Sequence, residues 1–426
     1  MGSLRALAGK VRGAIRTVAM IEQTRSNVAD DALFYYITEA ELSKDDGPGV
    51  NEWGFVSKLT AVLPDKVVCF APSPSQSGGR RCPGVRYVIG HRGLHPFFFL
   101  VFQLDLLRAL VEMAQQRRPT AIVVRPGIFP LMPLIVARWL DVPLFVKTLG
   151  MGALTTLPKR YFPLGRYLLY PVTSWAYRRL LQRAQLIDTV SKTYINWAME
   201  TFGLPRERLV LIPNGVDEEM FSPCPRDEAR EKLGLNGLSR VVGFVGTLTW
   251  YCGVERLIEA SLTILERYPD TTFLVVGDGR ERPGLETMAE ERGVRDSFLF
   301  VGRVPYEKVP DYINASDVSA ILWPSVRMQK VGSSAVKLRQ YLACGCPVVA
   351  SRGDGHEFIE ENGLGWLVVP EDPEQVAEAI CTGLGLTSEE KENIGERARE
   401  YAVANFSMES LVRRRYELWL EAVRDA

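Results

Sequence analysis

The stretch from residue 332 to residue 347 carries the residues best suited to bind an anion. It reads Gly-Ser-Ser-Ala-Val-Lys-Leu-Arg-Gln-Tyr-Leu-Ala-Cys-Gly-Cys-Pro, and we expect Ser334 to cap a helix that stops at Gly345. The first turn of a helix has unpaired N–H groups and a partial positive charge, which favour a phosphate. Lys337 falls in that turn, three residues before Gln340, so both side chains could contact one ligand. The alternative is a lysine exposed on a surface helix.

Glycine follows three apolar runs of the second half, at Gly246, Gly277 and Gly302. Glycine after a parallel strand lets backbone N–H groups approach a ligand closely, although it also serves tight turns alone. The carboxyl ends of parallel strands share one edge of a sheet, where α/β proteins bind ligands. The three turns together therefore indicate a nucleotide or phosphate site.

The composition excludes several classes of protein. The chain has 426 residues, of which 46% are apolar and 24% charged, so we expect two or three folded domains rather than a disordered or collagen-like chain. The chain contains no run of about 20 apolar residues, so we do not expect a membrane-spanning helix. Seven cysteines without a CxxC pair indicate a reducing cytosol, and three histidines exclude a histidine-rich zinc site.

Charge is distributed unevenly along the chain. Residues 1–205 hold 25 Lys and Arg against 14 Asp and Glu, a net charge of +11, whereas residues 206–426 carry −11. A basic half on a neutral protein indicates an anionic partner, such as a membrane surface, a phosphorylated acceptor or nucleic acid. A solvated basic face is the plainer explanation. No recognition motif accompanies the basic residues, so nucleic acid is not an expected partner.

Residues 1–28 have the pattern of an amphipathic helix. Leu4, Leu7, Val11, Ile15 and Val18 recur at spacings of three and four, with basic residues between them. These charges interrupt the apolar centre that a secretory signal needs. Two interpretations stay open: the helix lies on an anionic membrane surface, or it packs on the first domain.

The rest of the chain alternates strands with helices. Apolar runs predict strands at 33–37, 67–70, 86–89, 121–124, 144–146, 186–190, 241–245, 272–276, 298–301, 318–322, 347–350 and 366–369. Continuous apolar strands between helices predict parallel sheets covered on both faces. The prolines and the Asn214-Gly215 turn, with the change of charge sign, indicate a domain boundary near residue 205.

We therefore expect a helix over 1–30, one α/β domain over 31–205, a second over 206–407 and a final helix over 408–426. Both domains are predicted to be doubly wound and Rossmann-like, each with a parallel sheet. Two such domains in tandem leave a cleft, where the carboxyl ends of the strands would bind ligands.

Several motifs, taken as a set, resemble glycosyltransferase family 4, whose members are retaining enzymes of the GT-B fold. They cover roughly residues 205–425 and are Pro213-Asn214-Gly215-Val216-Asp217, Gly246-Thr247-Leu248, 253–260, Val276-Gly277-Asp278-Gly279, Gly302-Arg303-Val304-Pro305, 340–350 and 363–368. The first domain matches mainly in strand order, in the loop at Gly49 and within 123–150. The resemblance implies a GT-B fold whose final helix returns to complete the first domain.

The resemblance also implies roles for individual residues. A nucleotide-sugar donor would bind mainly the second domain, with no metal ion and no cofactor besides this co-substrate. Its binding residues would be Gly49, Gly246, Thr247, Gly279, Gly302, Arg303, Val304, Gly332, Ser333, Ser334 and Gln340. The acceptor would bind the first domain, through His91, Arg125 and Lys147.

The chain departs from the family where the family has charged groups. Two glutamates eight residues apart correspond to Gly332 and Gln340, and an arginine and a lysine after the first strand of the second domain correspond to Thr247 and Cys252. Charge-assisted hydrogen bonds contribute about 1.5–3 kcal/mol each, so losing two would greatly weaken the binding of a diphosphate.

Other cations are close enough in sequence to replace the missing ones. We expect Arg125, Lys337 and Lys330 to act in catalysis. Arg327 is a further candidate to replace a missing cation, since a variant with Ser-Ser and a helical lysine occurs in the family. Arg125 corresponds to the family's histidine and cannot act as a base at neutral pH. It would instead hold a phosphate of the acceptor or the donor.

The segment 159–167 mixes cations with aromatic rings, which suits a membrane interface. With residues 1–28, it predicts a cytoplasmic protein attached peripherally to the inner membrane surface. The expected acceptor is a lipid-linked or otherwise anionic glycan precursor, in the biosynthesis of a surface glycan.

Two other functions stay open. The four departures from the family could mark a non-catalytic relative that binds a nucleotide sugar or a partner chain. A sugar-nucleotide epimerase of GT-B fold is the second alternative. Release of free nucleotide only when an acceptor is present would separate a transferase from an epimerase.

Overall fold

A computed structural model describes residues 31–43, 47–74, 81–88, 96–127, 130–148 and 165–425 of the chain. These residues form two parallel β-sheets, each covered by helices on both faces, as the apolar strands predict. Within the described ranges no helix is both long enough and apolar enough to cross a membrane.

The first sheet has seven strands in the order β3-β2-β1-β4-β5-β6-β7. They are β1 (Phe34–Thr38), β2 (Val67–Pro72), β3 (Val85–Val88), β4 (Ala121–Arg125), β5 (Leu144–Lys147), β6 (Leu186–Thr189) and β7 (Leu209–Leu211). The intervening helices are α1 (Gly47–Val62), α2 (Pro96–Gln116), α3 (Leu131–Leu140), α4 (Gly165–Arg183) and α5 (Lys192–Phe202). Helices α2 to α5 pack on one face of the sheet and α1 packs on the other.

The second sheet has six strands in the order β10-β9-β8-β11-β12-β13. They are β8 (Arg240–Val245), β9 (Thr271–Val276), β10 (Phe298–Gly302), β11 (Val318–Ile321), β12 (Val348–Ser351) and β13 (Gly365–Val368). Its helices are α6 (Arg226–Leu233), α7 (Val254–Arg267), α8 (Arg282–Glu291), α9 (Val309–Asn314), α10 (Ser325–Val331), α11 (Val336–Ala343), α12 (Phe358–Glu361), α13 (Pro373–Gly385) and α14 (Ser388–Phe406).

The chain crosses between the sheets twice, and the two crossings pair with each other. Val216 on the first crossing bridges to Ser407 on the second, with Val216 N–H donating to Phe406 O at 2.8 Å and Met408 N–H donating to Val216 O at 2.9 Å. The last helix, α15 (Met408–Arg424), then packs on the first sheet, where Trp419 contacts Phe34. The returning helix therefore belongs structurally to the first domain.

The strand β7 adds to the first sheet, so that sheet extends six residues beyond the expected boundary at residue 205. In each sheet the strand order reverses at one place, between β1 and β4 and between β8 and β11. Loops on the two sides of such a reversal diverge and leave a crevice at the carboxyl edge. Both crevices hold buried or partly buried cations.

Candidate active site between the two domains

The loops that follow the strands of the two sheets contact each other across the cleft. Asp354 Oδ2, after β12, accepts hydrogen bonds from the backbone N–H and the hydroxyl of Thr193, at 2.8 and 2.7 Å. Thr193 lies in the first turn of α5, so the carboxylate sits at a helix N-terminus, where the dipole favours negative charge. We call this the Thr193–Asp354 contact. It joins the two domains at one side of the cleft.

Gly332 lies directly beside the Thr193–Asp354 contact. Its φ of 64° and ψ of −167° belong to a region that glycine alone tolerates. A Cβ there would lie 2.6 Å from Asp354 Oδ2 and 2.9 Å from Ser191 Cβ. A glutamate at this position could not be accommodated without opening the contact. The absence of the family's glutamate thus has a structural explanation, and donor binding by Gly332 stays a prediction.

Ser334 does not cap α11, so that expectation was wrong. The N-cap is Ala335, and no side chain caps the helix. The hydroxyl and carbonyl of Ser334 accept hydrogen bonds from the backbone N–H and side-chain amide of Asn214, at 2.8 and 2.7 Å. Asn214 Oδ1 in turn accepts from the amide of Asn51 in α1, at 3.1 Å. The Ser334 hydroxyl therefore bonds to Asn214 instead of to the N–H groups of the helix. The neighbouring Ser333 is buried.

Lys337 extends from the first turn of α11 toward the end of β8. Its ammonium lies 4.1 Å from the centre of the Phe244 ring, and a Cβ on Gly246 would lie only 2.5 Å from it. Burial lowers the pKa of Lys337 to about 8, with Cys252 among the groups that act on it. Within the described residues Lys337 forms no ion pair. The ammonium therefore occupies the region next to Thr247 and Cys252, where the family's cations are missing.

Arg327 in α10 is a second cation near Lys337. Its guanidinium stacks on Trp323, 3.5 Å from the ring centre, and lies 4.9 Å from the centre of the Tyr251 ring. Burial lowers its pKa to about 10, and its buried Nη1 has no hydrogen-bond partner in the described part of the chain. Lys330, one turn further along α10, is exposed. Of the predicted replacements, Arg327 and Lys337 thus lie near the end of β8, while Lys330 is exposed and its catalytic role stays a prediction.

The glycine turns of the second sheet are tied to one another through their backbones. Gly246 N–H donates to Val276 O at 2.9 Å, and Gly277 N–H donates to Gly302 O at 2.8 Å. A Cβ on Gly277 would lie 2.0 Å from Gly246 O, and one on Gly279 would lie 2.2 Å from Leu248 O. Close approach of adjacent loops therefore accounts for Gly277 and Gly279 before any ligand is considered.

The remaining donor-binding candidates line the same edge of the sheet or the gap beside it. Thr247 and Arg303 are exposed, and Val304 is half-buried. The Gln340 side-chain amide donates to the Tyr306 hydroxyl at 3.0 Å, and both residues line a small pocket between the domains with Trp53 of α1. This amide, predicted to bind the donor, is therefore already hydrogen-bonded in this structure.

The first domain has a buried charge cluster at its own crevice, built around Glu52 of α1. Glu52 Oε2 lies 2.8 Å from Lys147 Nζ at the end of β5 and 3.1 Å from Arg125 Nε at the end of β4, and Tyr36 donates its hydroxyl to Oε1. Sequence reasoning missed Glu52, because its partners are 73 and 95 residues away along the chain. The available signal was that Glu52 is the one acidic residue of α1, near the start of that helix.

Opposite charges decide the ionisation of this cluster. Burial acts to raise the pKa of Glu52, but the charges of Lys147 and Arg125 outweigh it and bring the pKa to about 2. Burial lowers the pKa of Lys147 to about 8, although Glu52 opposes the change. Deeper in the domain, Asp188 of β6 pairs with Arg415 of α15 at 2.8 Å, which ties the returning helix to the sheet.

The acceptor-binding candidates occupy different environments. Only 14% of the Arg125 side chain is exposed, and Lys147 is almost fully buried against Glu52. An acceptor phosphate would compete with that carboxylate for Lys147. Gly49, expected in a loop, lies in the first turn of α1 and is buried. His91 lies outside the described residues, as do 1–30 and 159–164, and their predicted roles stay predictions.

Comparisons with known proteins agree with this architecture. The family model described as Glycosyltransferase Family 4 matches residues 58–220, and that described as Glycosyl transferases group 1 matches residues 225–401. D-inositol 3-phosphate glycosyltransferase of Corynebacterium urealyticum is 31% identical over 57% of this chain and 59% of its own length. The GDP-mannose-dependent alpha-(1-6)-phosphatidylinositol monomannoside mannosyltransferase of Mycolicibacterium smegmatis is 32% identical over 50% of this chain and 56% of its own length.

The chain thus spans less than two thirds of the length of these relatives. The crystal structure of Anabaena Alr3699/HepE in complex with UDP superposes with a TM-score of 0.67 and 18% identity, covering 91% of this chain and all of that one. That likeness extends across both sheets and confirms the predicted GT-B fold. The two family models together cover most of the chain and confirm the predicted family. The chain belongs to glycosyltransferase family 4, the glycosyl transferases group 1.

Proposed function

We propose that this protein is a retaining, metal-independent glycosyltransferase that moves a sugar from a nucleotide-sugar donor to an anionic, lipid-linked acceptor. The observation that carries the proposal is the pair of cations at the reversal between β8 and β11. Lys337 and Arg327 lie there without a carboxylate partner among the described residues, beside an uncapped helix N-terminus. Buried cations without a counter-charge are costly unless an anion binds.

A nucleoside diphosphate fits the chemistry of this crevice. As the glycosidic bond to the donor breaks, negative charge grows on the leaving diphosphate. Lys337, Arg327 and the first N–H groups of α11 would stabilise that charge, which is the usual role of preorganised donors in a crevice. These groups would take over from the cations that the family carries at the positions of Thr247 and Cys252. The proposal therefore needs no metal ion to neutralise the diphosphate.

The acceptor side of the proposal rests on the first-domain cluster. Glu52 balances only one of the two cations that it contacts, so Arg125 and Lys147 together leave a net positive charge at the cleft. Arg125, the more exposed of the two, would bind a phosphate of the acceptor. Two relatives whose names specify an inositol phosphate and a phosphatidylinositol mannoside support an anionic or lipid-linked acceptor. Peripheral attachment through 1–28 and 159–167 at the inner membrane surface, in surface glycan biosynthesis, belongs to the same proposal.

A thermal-shift screen against UDP-, GDP-, ADP- and dTDP-sugars in the presence of EDTA tests the donor site. A ligand at 100 times its dissociation constant adds about 2.7 kcal/mol of stability, which is readily seen. We expect one base to stabilise the protein clearly. The anomeric configuration of the transferred sugar, read by NMR, would then test the retaining outcome.

The alternatives predict different results in the same experiments. No shift with any nucleotide sugar, with or without added divalent metal, would favour a non-catalytic relative. Turnover of the donor without transfer, giving an epimerised sugar, would favour the epimerase. A shift that depends on added metal would contradict the metal-independent part of the proposal.

A further inference from the structure

Three neighbouring helices of the first domain expose large apolar side chains that nothing in the described chain covers. The residues are Val101 and Leu104 of α2, Ile135 and Trp139 of α3, and Val172 and Trp175 of α4. Leu104 and Trp139 are 62% and 61% exposed, and Trp175 is 51% exposed. Helix α3 contacts both α2 and α4, and all three pack on the same face of the first sheet. We call these six residues the apolar band.

The apolar band lies at one level along the three helices. Its residues occupy the fifth to the eleventh position from the helix N-termini. Each of these helices follows a strand and runs back along the sheet, so its N-terminus lies at the carboxyl edge. At a rise of about 1.5 Å per residue, the band begins less than about 10 Å from that edge. The band therefore lies beside the opening of the cleft, on the side of the first domain.

Arginine side chains lie level with the band or on its side away from the carboxyl edge. Arg108, Arg138, Arg178 and Arg179 are exposed on the same three helices. The Arg179 guanidinium lies 6.0 Å from the Trp175 ring, and Arg108 pairs with Glu112 at 2.7 Å. The acidic groups on the outer sides of these helices are Asp105 and Glu112, so arginines outnumber them. An apolar surface flanked by cations matches the boundary between lipid chains and anionic headgroups.

We propose that the apolar band docks on an anionic lipid bilayer. Tryptophan is the residue most suited to the interface, since its ring is amphipathic, and arginine reaches outward to headgroup phosphates. A second copy of this chain is a poorer occupant, because a two-fold contact would bring the same arginines against one another. Docking would hold the cleft opening at the lipid surface. The proposal uses residues other than 1–28 and 159–167 and does not depend on the donor chemistry.

Vesicle flotation of the full chain tests the proposal. Wild-type protein should float with phosphatidylcholine vesicles that contain phosphatidylglycerol and bind pure phosphatidylcholine vesicles more weakly. The triple variant Leu104→Gln/Trp139→Gln/Trp175→Gln should lose about tenfold or more in partition coefficient. Arg138→Gln/Arg179→Gln should lose about tenfold on the anionic vesicles and little on the neutral ones.

A matched control replaces exposed apolar residues of the second domain. Leu262→Gln/Leu299→Gln/Val403→Gln removes side chains of 44%, 37% and 38% exposure and should bind vesicles like wild type. Unchanged melting temperatures would show that each variant is folded, and unchanged thermal shifts with the donor would show that the donor site is intact. Wild-type vesicle binding by the band variant would overturn the proposal. So would a wild-type dimer that this variant converts to a monomer.

Discussion

The two crevices of the molecule differ in whether a carboxylate pairs with their cations. In the first domain, Arg125 and Lys147 share the buried carboxylate of Glu52. In the second domain, Lys337 and Arg327 have no carboxylate partner among the described residues, and aromatic rings lie against them instead. Glu52 offsets one of the two charges in the first crevice, and its loss would leave both buried cations unpaired, whereas no carboxylate of the described residues offsets the charges in the second. We therefore assign a mainly structural role to the Glu52–Lys147 pair and an anion-binding role to Lys337 and Arg327, while Arg125 keeps the excess charge proposed for the acceptor.

Removing the carboxylate of the first cluster should have the largest effect on stability. Glu52→Gln leaves Lys147 and Arg125 buried without a counter-charge, and we expect a loss of about 3–5 kcal/mol in the free energy of unfolding. Equilibrium urea unfolding followed by circular dichroism measures it. Glu112→Gln, which breaks an exposed pair with Arg108, is the matched control and should change little. A small effect of Glu52→Gln would remove the basis for separating the two clusters.

Replacing Gly332, beside the Thr193–Asp354 contact, should have the second-largest effect on stability. Gly332→Ala places a Cβ in a backbone region closed to alanine and close to the carboxylate of Asp354. We expect a loss of about 1–3 kcal/mol. Gly284→Ala is the control of opposite sign: it lies in α8 with open space around it, and it should stabilise by about 0.5–1 kcal/mol. If Gly332→Ala were neutral, the contact would not explain the missing glutamate.

Donor binding should weaken at high pH, because Lys337 loses its charge. The folded-state pKa of Lys337 is about 8, below its ordinary value, so the free protein loses this charge as pH rises through 8. Between pH 7 and 9 the charged fraction falls by about tenfold, and donor affinity should fall by up to the same factor. Lys337→Arg should flatten this dependence, because arginine stays charged. Calorimetric titrations at several pH values would show it, and a parallel fall in both proteins would assign the effect to another group.

The smallest expected effect concerns the stability of the empty second crevice. Lys337→Met removes a partly buried charge that lacks a partner, so the free energy of unfolding should stay constant or rise by about 0–2 kcal/mol. Lys147→Met should instead destabilise the protein, since it takes a partner from Glu52. Opposite signs in urea unfolding would support the comparison. A loss of stability in both variants would indicate that Lys337 also has a structural partner.

The sheets could be predicted because their strands are continuous apolar runs, such as 272–276, which became β9. Helix α14 was missed although Thr387 and Glu390 form a capping box at its start, because its polar sequence carries no strong apolar stripe. The short β7 and helices α5 and α6 were missed as well. Family membership followed from motifs spread over the second domain, which do not depend on any single contact.

The charge clusters could be predicted only in part. The position of Lys337 in a helix start was readable from local sequence. The absence of a counter-charge near Lys337 could not be predicted, because it depends on which side chains from other segments lie close to it. Ser334 shows the same limit: its residue type suits a cap, but Asn214, 120 residues away, uses its hydroxyl. Tertiary contacts thus overrule local preference at the sites where the domains meet.

The most direct test of the account is the affinity of the stabilising nucleotide sugar for three proteins, measured by calorimetry with EDTA present. Lys337→Met should bind about 10–100-fold more weakly than wild type, because one charge-assisted contact to the diphosphate is lost. Lys330→Met, which removes an exposed lysine seven residues before Lys337 in sequence, should bind like wild type. Equal affinities in wild type and Lys337→Met would contradict the claim that Lys337 replaces the family's missing cations.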